Sequence, residues 1–197
     1  EKNSNKESFY RWYYSFKNSK GLINENNQYK MVWIDGLGVE FASLLASILE
    51  EKGYGVSVYI ARAELPSITE YNRFTDADYI QDLDKFIHTK ISYTYPDDLV
   101  KEINIIKDIA DYVCGLGDNI LILSDHGFTA FANAKFDNNK IYDFESVGHE
   151  GRYASIRDDS TMFSEDEDFF LHQLEDEGGH KKYLIALKYK SLSNTPK

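Results

Sequence analysis

The order of apolar and polar positions in the first third of the chain predicts a strand, a helix and a second strand. MVWID at 31–35 is β-branched and apolar up to its aspartate, which favours a buried strand. Apolar residues recur at helical spacing over 39–52, and Gly53 stands where that helix should end. VSVYI at 56–60 predicts the second strand, and a turn is expected at 65–67, where a proline lies.

The rest of the chain continues this alternation. Helical spacing at roughly 76–90 and at 97–114 predicts two more helices, and 119–123 predicts another buried strand. Shorter strand-like runs follow, at 140–145, 152–156 and 183–189. Strands that alternate with helices are typical of an α/β fold, so we expect a mostly parallel central sheet flanked by helices.

The 197 residues are enough for one domain with a sizeable core. No internal repeat and no proline- or glycine-rich linker divides them, so we expect a single domain over 1–197. Residues 1–27 are polar and then aromatic, and we expect them to form a helix preceded by a loose end, as an N-terminal extension. Because the chain begins at Glu1 rather than at a methionine, we expect this domain to have been excised from a longer protein.

Charge and cysteine content restrict the partners and the compartment. The formal net charge of −11 disfavours a broad nucleic-acid-binding surface, although a bound cation can still attract an anionic substrate to one local site. The single cysteine, Cys114, excludes an internal disulfide framework and favours a reducing, cytoplasmic location. No apolar run approaches the ~18 residues of a membrane span, so no membrane partner is expected.

Charged side chains follow two of the predicted strands at their carboxyl ends. Asp35 ends MVWID, and Asp125 and His126 follow the apolar run in LILSDHGF. Each of these residues could have a purely structural role, in a turn or as a helix cap. In a parallel sheet, however, these strand ends meet at one edge, where ligands gather. Carboxylates and an imidazole on rigid strand ends are suited to holding a metal ion.

Further candidate groups lie on a predicted helix and in a glycine-rich segment. Asp84 and His88 are four residues apart, so they share a helix face and can hold one ion or form a surface charge pair. His149 is flanked by glycines in VGHEGRY, and glycines allow backbone to approach a site closely. In the same segment, Arg152 offers a planar guanidinium that suits a phosphate.

Hydroxyl groups occur between these motifs, in LPSITE at 65–70. Thr69 could cap the following helix, which is the usual role of a hydroxyl at that position. A helix N-terminus also attracts anions, and a metal can activate a hydroxyl as a nucleophile. Ser67 is a rival hydroxyl two residues away, and the spacing alone does not choose between them.

The order of these groups resembles that of the alkaline phosphatase superfamily. Seven residues follow its pattern: Asp35, Thr69, Asp84, His88, Asp125, His126 and His149. Within the superfamily, the chain resembles the PglZ domain in its motifs WIDGLG, LPSITE, SDHG and GHEGRY. PglZ domains occur in phage-defence systems of the BREX type and in some response regulators. The resemblance spans 31–156, about two thirds of the chain.

The resemblance implies an alkaline phosphatase-like core that holds two divalent ions, with Zn²⁺ expected and Mn²⁺ as the alternative. The implied ligand sets are Asp35, Asp125 and His126 with Thr69 for one ion, and Asp84, His88 and His149 for the other. Thr69 would be the nucleophile between them, and Arg152 would assist at the phosphate. The chain is short for this superfamily and leaves little for a substrate-selecting cap.

The implied function is that of a metal-dependent phosphoric ester hydrolase, a phosphatase or phosphodiesterase, working in a BREX-type phage-resistance system with other defence proteins. The sequence leaves open whether the substrate is a monoester, a diester or a nucleic acid. A metal-binding scaffold module in a defence or signalling assembly, with weak or no catalysis, is the alternative function.

Overall fold

The computed structural model describes residues 11–25, 28–89, 94–127, 139–142, 144, 146–148, 151–156, 168–176, 179–186 and 191–194. The chain forms two compact units. We call Phe16–Ala130 the parallel-sheet unit, and Glu1–Ser15 together with Phe131–Lys197 the antiparallel-sheet unit. Two compact units can belong to one domain, so the single domain over 1–197 stays a prediction.

A three-stranded parallel sheet forms the centre of the parallel-sheet unit. Its strands are β1 (Lys30–Ile34), β2 (Asp78–Ile80) and β3 (Ile120–Leu123), in the order β2-β1-β3. The strands predicted at 31–35 and 119–123 are therefore confirmed. Because β1 is central, its carboxyl end lies between those of its two neighbours, and charged groups there share one edge of the sheet.

Helices accompany this sheet and confirm two of the predicted helical stretches. They are α1 (Ser19–Glu25), a 3₁₀ turn (Val39–Phe41), α2 (Ala42–Glu51), α3 (Asp82–His88) and α4 (Asp97–Gly115). The predicted end of α2 at Gly53 is also confirmed. Gly53 has φ +93° and donates its N–H to the carbonyl of Glu50, while the N–H of Tyr54 donates to the carbonyl of Leu49. These two bonds form a Schellman cap, which needs the left-handed backbone that glycine adopts without strain.

The apolar faces of α2 and α4 bury the core of this unit against β1. Buried positions of α4 recur three or four residues apart, as expected for one helix face. The buried cluster comprises Val32, Ile34, Leu45, Leu49, Ile106, Ile109, Ala110 and Val113. This packing fixes β1, and with it the residue that follows its carboxyl end.

The strand predicted at 56–60 is wrong. Those residues have no regular secondary structure, and Val58, Tyr59 and Ile60 are each more than half exposed. The strand that pairs with β1 is instead β2, within the stretch 76–90 that was predicted to be helical, and helix α3 begins only at Asp82. A β-branched run favours a strand only where a neighbouring strand is available, and a three-residue strand carries too little periodicity to be recognised.

The antiparallel-sheet unit departs from the predicted mostly parallel architecture. Its strands are β4 (Asn139–Tyr142), β5 (Ser146–Gly148), β6 (Tyr153–Ile156), β7 (Phe169–Asp176), β8 (Gly179–Ala186) and β9 (Ser191–Asn194). Strands β5, β6, β8 and β7 form an antiparallel sheet in that order, and β4 pairs with β9 in parallel. Only two residues separate β7 from β8, and so short a connection permits antiparallel pairing alone.

The run predicted as a terminal strand at 183–189 belongs to β8 as far as Ala186, and β9 follows it. The fold is thus mixed α/β, with a small parallel sheet beside helices and a separate antiparallel sheet. None of the helices in the described part of the chain is long and apolar enough to cross a membrane.

Candidate metal centre

Three of the predicted metal ligands meet at the carboxyl edge of the parallel sheet. Asp35 directly follows β1, and Asp125 and His126 follow its neighbour β3. Their candidate ligand atoms all lie within 4.8 Å of one another. The two carboxylates are almost completely buried, with 3% of Asp35 and 1% of Asp125 exposed. Among the described residues, this is the one cluster of three such groups close enough to share an ion.

Close contact between the two loops after β1 and β3 explains how the groups are brought together. The hydroxyl oxygen of Ser124 lies 2.7 Å from the carbonyl oxygen of Leu37 and 2.8 Å from that of His126, so its proton can link the two loops. A Cβ atom added to Gly127 would lie 2.5 Å from the Cα of Gly38. The backbones approach so closely that a side chain at Gly127 would displace one loop.

Thr69 is the fourth group at this position. Its hydroxyl oxygen lies 3.0 Å from Nε2 of His126 and 3.4 Å from Oδ1 of Asp35. The same nitrogen lies 3.5 Å from Oδ1 of Asp35 and 3.4 Å from Oδ2 of Asp125. In a tetrahedral zinc site with bonds of about 2.0–2.1 Å, ligand atoms are roughly 3.3–3.4 Å apart. The four distances are therefore close to those around a tetrahedral ion.

The charges at this site favour a cation. Oδ2 of Asp125 is buried and accepts no hydrogen bond from the described residues. Burial raises the pKa of Asp35, and the negative charges of Asp125 and Asp84 raise it further, against the opposing effects of the Tyr79 hydrogen bond and of His126. Two buried carboxylates without a compensating charge are unfavourable. A divalent ion would neutralise both, and oxygen and imidazole donors without a thiolate suit Zn²⁺ or Mn²⁺.

The backbone around Thr69 differs from the prediction. The segment 68–72 forms turns rather than a helix, with Tyr71 and Asn72 donating their N–H groups to the carbonyls of Ile68 and Thr69. Thr69 is therefore not a helix cap, and the expectation that a helix N-terminus attracts phosphate here is wrong. The segment lacks the apolar periodicity that would continue a helix.

A buried amide holds this loop in place. Asn72 is 3% exposed, and its Oδ1 accepts the N–H of Glu64 at 2.7 Å. Its Nδ2 donates to the carbonyl oxygens of Ile68 and Glu64, at 2.9 and 3.2 Å. The side chain thus connects both ends of the loop that carries Thr69. Nothing in the sequence pattern predicts this role, because an asparagine between turns is ordinary.

The two hydroxyls of this loop differ in position. Ser67 is exposed, whereas the hydroxyl of Thr69 contacts both His126 and Asp35. Only Thr69 has these contacts among the described residues of the loop. The geometry therefore favours Thr69 over Ser67 as the group that an ion at this site could activate.

The second predicted ligand set is described in part. Asp84 and His88 lie on α3, with His88 Nε2 3.3 Å from Asp84 Oδ1. The His88 side chain is 58% exposed and that of Asp84 is 20% exposed. Asp84 is close enough to Asp35 for its charge to raise the pKa of Asp35. His149 lies outside the described residues, so a second ion site stays a prediction.

Arg152 belongs to the antiparallel-sheet unit and is bound there to β8. Its Nη2 donates to the carbonyl oxygen of Ala186 at 3.0 Å, and its own carbonyl accepts the N–H of the same residue. The side chain is half-buried, and burial lowers its pKa. A role at the phosphate stays a prediction for this residue.

One contact to the candidate metal site was not predicted from the sequence. The hydroxyl of Tyr79, on β2, donates a hydrogen bond to Oδ2 of Asp35. Burial, followed by this bond, raises the pKa of Tyr79 to about 12. Tyr79 lies in the stretch that was predicted to be helical, and only the pairing of β2 with β1 places it beside Asp35.

Comparisons with protein-family models, with curated proteins and with solved structures found no significant match. The resemblance to PglZ domains therefore stays a prediction from the motifs. Evidence for function comes from the site itself, where two buried carboxylates, one imidazole and one hydroxyl converge.

Proposed function

We propose that this protein is a metal-dependent phosphoesterase with Thr69 as its nucleophile. The observation that carries the proposal is the position of the Thr69 hydroxyl, which lies 3.0 Å from His126 Nε2 and 3.4 Å from Asp35 Oδ1. A nucleophile beside a divalent ion is an arrangement suited to phosphoryl transfer, in which positioning and charge neutralisation supply most of the catalysis.

Asp35, Asp125 and His126 would hold the ion. When bound, Zn²⁺ or Mn²⁺ would lower the pKa of the adjacent hydroxyl and neutralise phosphate charge. Thr69, fixed by the loop that Asn72 closes, loses its proton to solvent and forms a bond from Oγ1 to phosphorus. The bond to the leaving oxygen breaks, and the alcohol departs with that electron pair and takes a proton from water. A second water then hydrolyses the phospho-threonine and restores the hydroxyl.

The proposal extends to the wider role that the motifs imply. WIDGLG, LPSITE, SDHG and GHEGRY support a PglZ-like domain of the alkaline phosphatase superfamily, and with it a part in a BREX-type phage-resistance system in the cytoplasm. Asp84, His88 and His149 would hold a second ion, and Arg152 would bind the phosphate. Support for the second ion comes from the pairing of Asp84 and His88 on α3, where Oδ1 and Nε2 lie 3.3 Å apart.

A metal-binding scaffold is the second candidate function. It is favoured by the exposure of His88, which at 58% differs from the buried triad. A scaffold needs only the ion held by Asp35, Asp125 and His126 and makes no use of the Thr69 hydroxyl. The two functions therefore differ in whether a zinc-loaded protein hydrolyses phosphate esters.

Hydrolysis of nitrophenyl phosphate and bis-nitrophenyl phosphate tests the proposal. The wild-type protein should hydrolyse at least one of them with Zn²⁺ or Mn²⁺ and lose the activity in excess chelator. Asp125→Asn, which removes a buried ligand charge, should be inactive. Asp108→Asn, a matched change at an exposed position of α4, should retain full activity. Metal-loaded wild-type protein that hydrolyses neither ester would contradict the proposal and favour the scaffold.

A further inference from the structure

The two carboxylate oxygens of Asp35 have different partners. Oδ2 accepts the hydrogen bond from Tyr79, whereas Oδ1 faces Thr69 Oγ1 at 3.4 Å and His126 Nε2 at 3.5 Å. The oxygen that faces the other candidate ligands is thus the one that Tyr79 does not occupy.

The aromatic ring of Tyr79 is fixed by its neighbours. Tyr79 on β2 is paired in register with Trp33 on β1, and the two rings stack with centroids 4.1 Å apart and planes 29° apart. Trp33 is buried and contacts Phe74 edge to face, at a centroid separation of 5.6 Å. The position of the hydroxyl is therefore determined by packing against a buried ring, although 42% of Tyr79 is exposed.

Strand β2 also holds the backbone of Asp35. The N–H of Asp35 donates to the carbonyl oxygen of Ile80 at 2.9 Å, one residue beyond Tyr79. Adjacent residues of β2 thus fix the backbone and one carboxylate oxygen of the same aspartate. Rotation of the carboxylate, which would bring both oxygens towards the ion, would break the Tyr79 hydrogen bond.

We propose that Tyr79 is a positioning residue that makes Asp35 a one-oxygen ligand of the ion. This inference rests on the proposed function only in requiring that Asp35, Asp125 and His126 bind an ion. Tyr79 itself belongs to none of the sequence motifs and is not implied by the resemblance. Hydrogen bonds to ligating carboxylates orient them, and their loss weakens metal binding by about 10–100-fold. A single oxygen from Asp35 would keep the coordination number of a bound ion low and leave room for Thr69 and substrate.

Tyr79→Phe tests this role, because it retains the stacked ring and removes only the hydroxyl. Zinc affinity, measured by competition with a fluorescent chelator, should fall by about 10–100-fold. Tyr59→Phe, the same change at a tyrosine that is 73% exposed, should leave the affinity unchanged. With Co²⁺ in place of zinc, Tyr79→Phe should show weaker visible absorption than wild type, because a second Asp35 oxygen raises the coordination number.

Three outcomes separate the inference from its alternatives. Equal zinc affinity of Tyr79→Phe and wild type would overturn the inference and leave the metal site intact. Weaker affinity with an unchanged cobalt spectrum and a lower melting temperature of the metal-free variant would indicate a merely structural role, which also overturns it. Wild-type protein that binds no zinc would instead contradict the proposed function itself.

Discussion

The hydroxyl oxygen of Thr69 lies 3.0 Å from Nε2 of His126, although 57 residues separate the two along the chain. His126 follows a strand of the parallel sheet, and Thr69 lies in a loop closed by a buried asparagine. Each is held by a different part of the backbone, so their proximity is a property of the tertiary structure. It places a hydroxyl group beside the two buried carboxylates.

Asp125→Asn should affect the metal-free and zinc-loaded proteins in opposite ways. Without metal, the change removes one of two buried negative charges, so the melting temperature should stay equal or rise. With zinc, the stabilisation of wild type, roughly 2.7 kcal/mol at a free concentration of 100 times Kd, should be lost in the variant. Thermal unfolding with zinc and with chelator measures both effects. Equal zinc-induced shifts in Asp125→Asn and wild type would exclude Asp125 as a ligand.

The raised pKa of Asp35 predicts a pH dependence of the metal-free protein. At a pH between the ordinary pKa of 3.8 and the higher pKa of folded Asp35, the unfolded chain has lost this proton while the folded chain still holds it. Stability should therefore fall as pH rises from 3.8 to the higher folded pKa, and it should level off above that. Denaturant unfolding in chelator, with Asp35→Asn as the reference, isolates the contribution. A wild-type advantage that grows with pH in this window would contradict a raised pKa.

The cluster of charged groups at the carboxyl ends of β1 and β3 could be predicted from the sequence. Each strand is a continuous apolar run that stops at an acidic residue, and parallel pairing brings such ends together whatever the remaining topology. Asp35, Asp125 and His126 were found in this way. The same logic does not extend to Tyr79, because its position depends on the short strand β2, which shows no alternation of its own.

The loop structure and the strand pairing in the rest of the chain could not be predicted for a similar reason. The segment 56–60 has strand propensity but no pairing partner in the structure, and propensity carries no information about partners. Residues 64–72 take their form from the hydrogen bonds of Asn72 rather than from a periodic pattern. In the antiparallel-sheet unit, β7 was not predicted as a strand, and the strands that were predicted there were expected to join a mostly parallel sheet because helices alternate with strands earlier in the chain.

Asn72→Ala should impair catalysis without removing the ion. The change leaves the N–H of Glu64 and the carbonyl of Ile68 without their buried partner, which should cost about 1–3 kcal/mol of stability. The loop that carries Thr69 would then be less ordered, so kcat should fall while zinc content stays at the wild-type level. Asn104→Ala, at an exposed position of α4, is the matched control. An unchanged kcat in folded Asn72→Ala would contradict this role.

The second ligand set predicts that wild-type protein binds close to two zinc ions per chain. His88→Ala should reduce this number to one, because the remaining ion is held by the buried triad. Its melting temperature in chelator should be that of wild type, since the His88 side chain is 58% exposed. Elemental analysis after removal of unbound metal gives the stoichiometry. Saturation of the wild-type protein at a single ion would contradict the second site.

The most direct test of the account is the rate at which zinc-loaded Thr69→Ala hydrolyses the nitrophenyl esters. We expect the rate to fall by orders of magnitude, and each factor of ten corresponds to about 1.36 kcal/mol of activation barrier. The zinc content should be retained because all three triad ligands remain. Ser67→Ala, at the exposed neighbouring hydroxyl, should keep most of the activity, and Thr69→Ser should keep some. A zinc-loaded Thr69→Ala protein that is as active as wild type would contradict a threonine nucleophile.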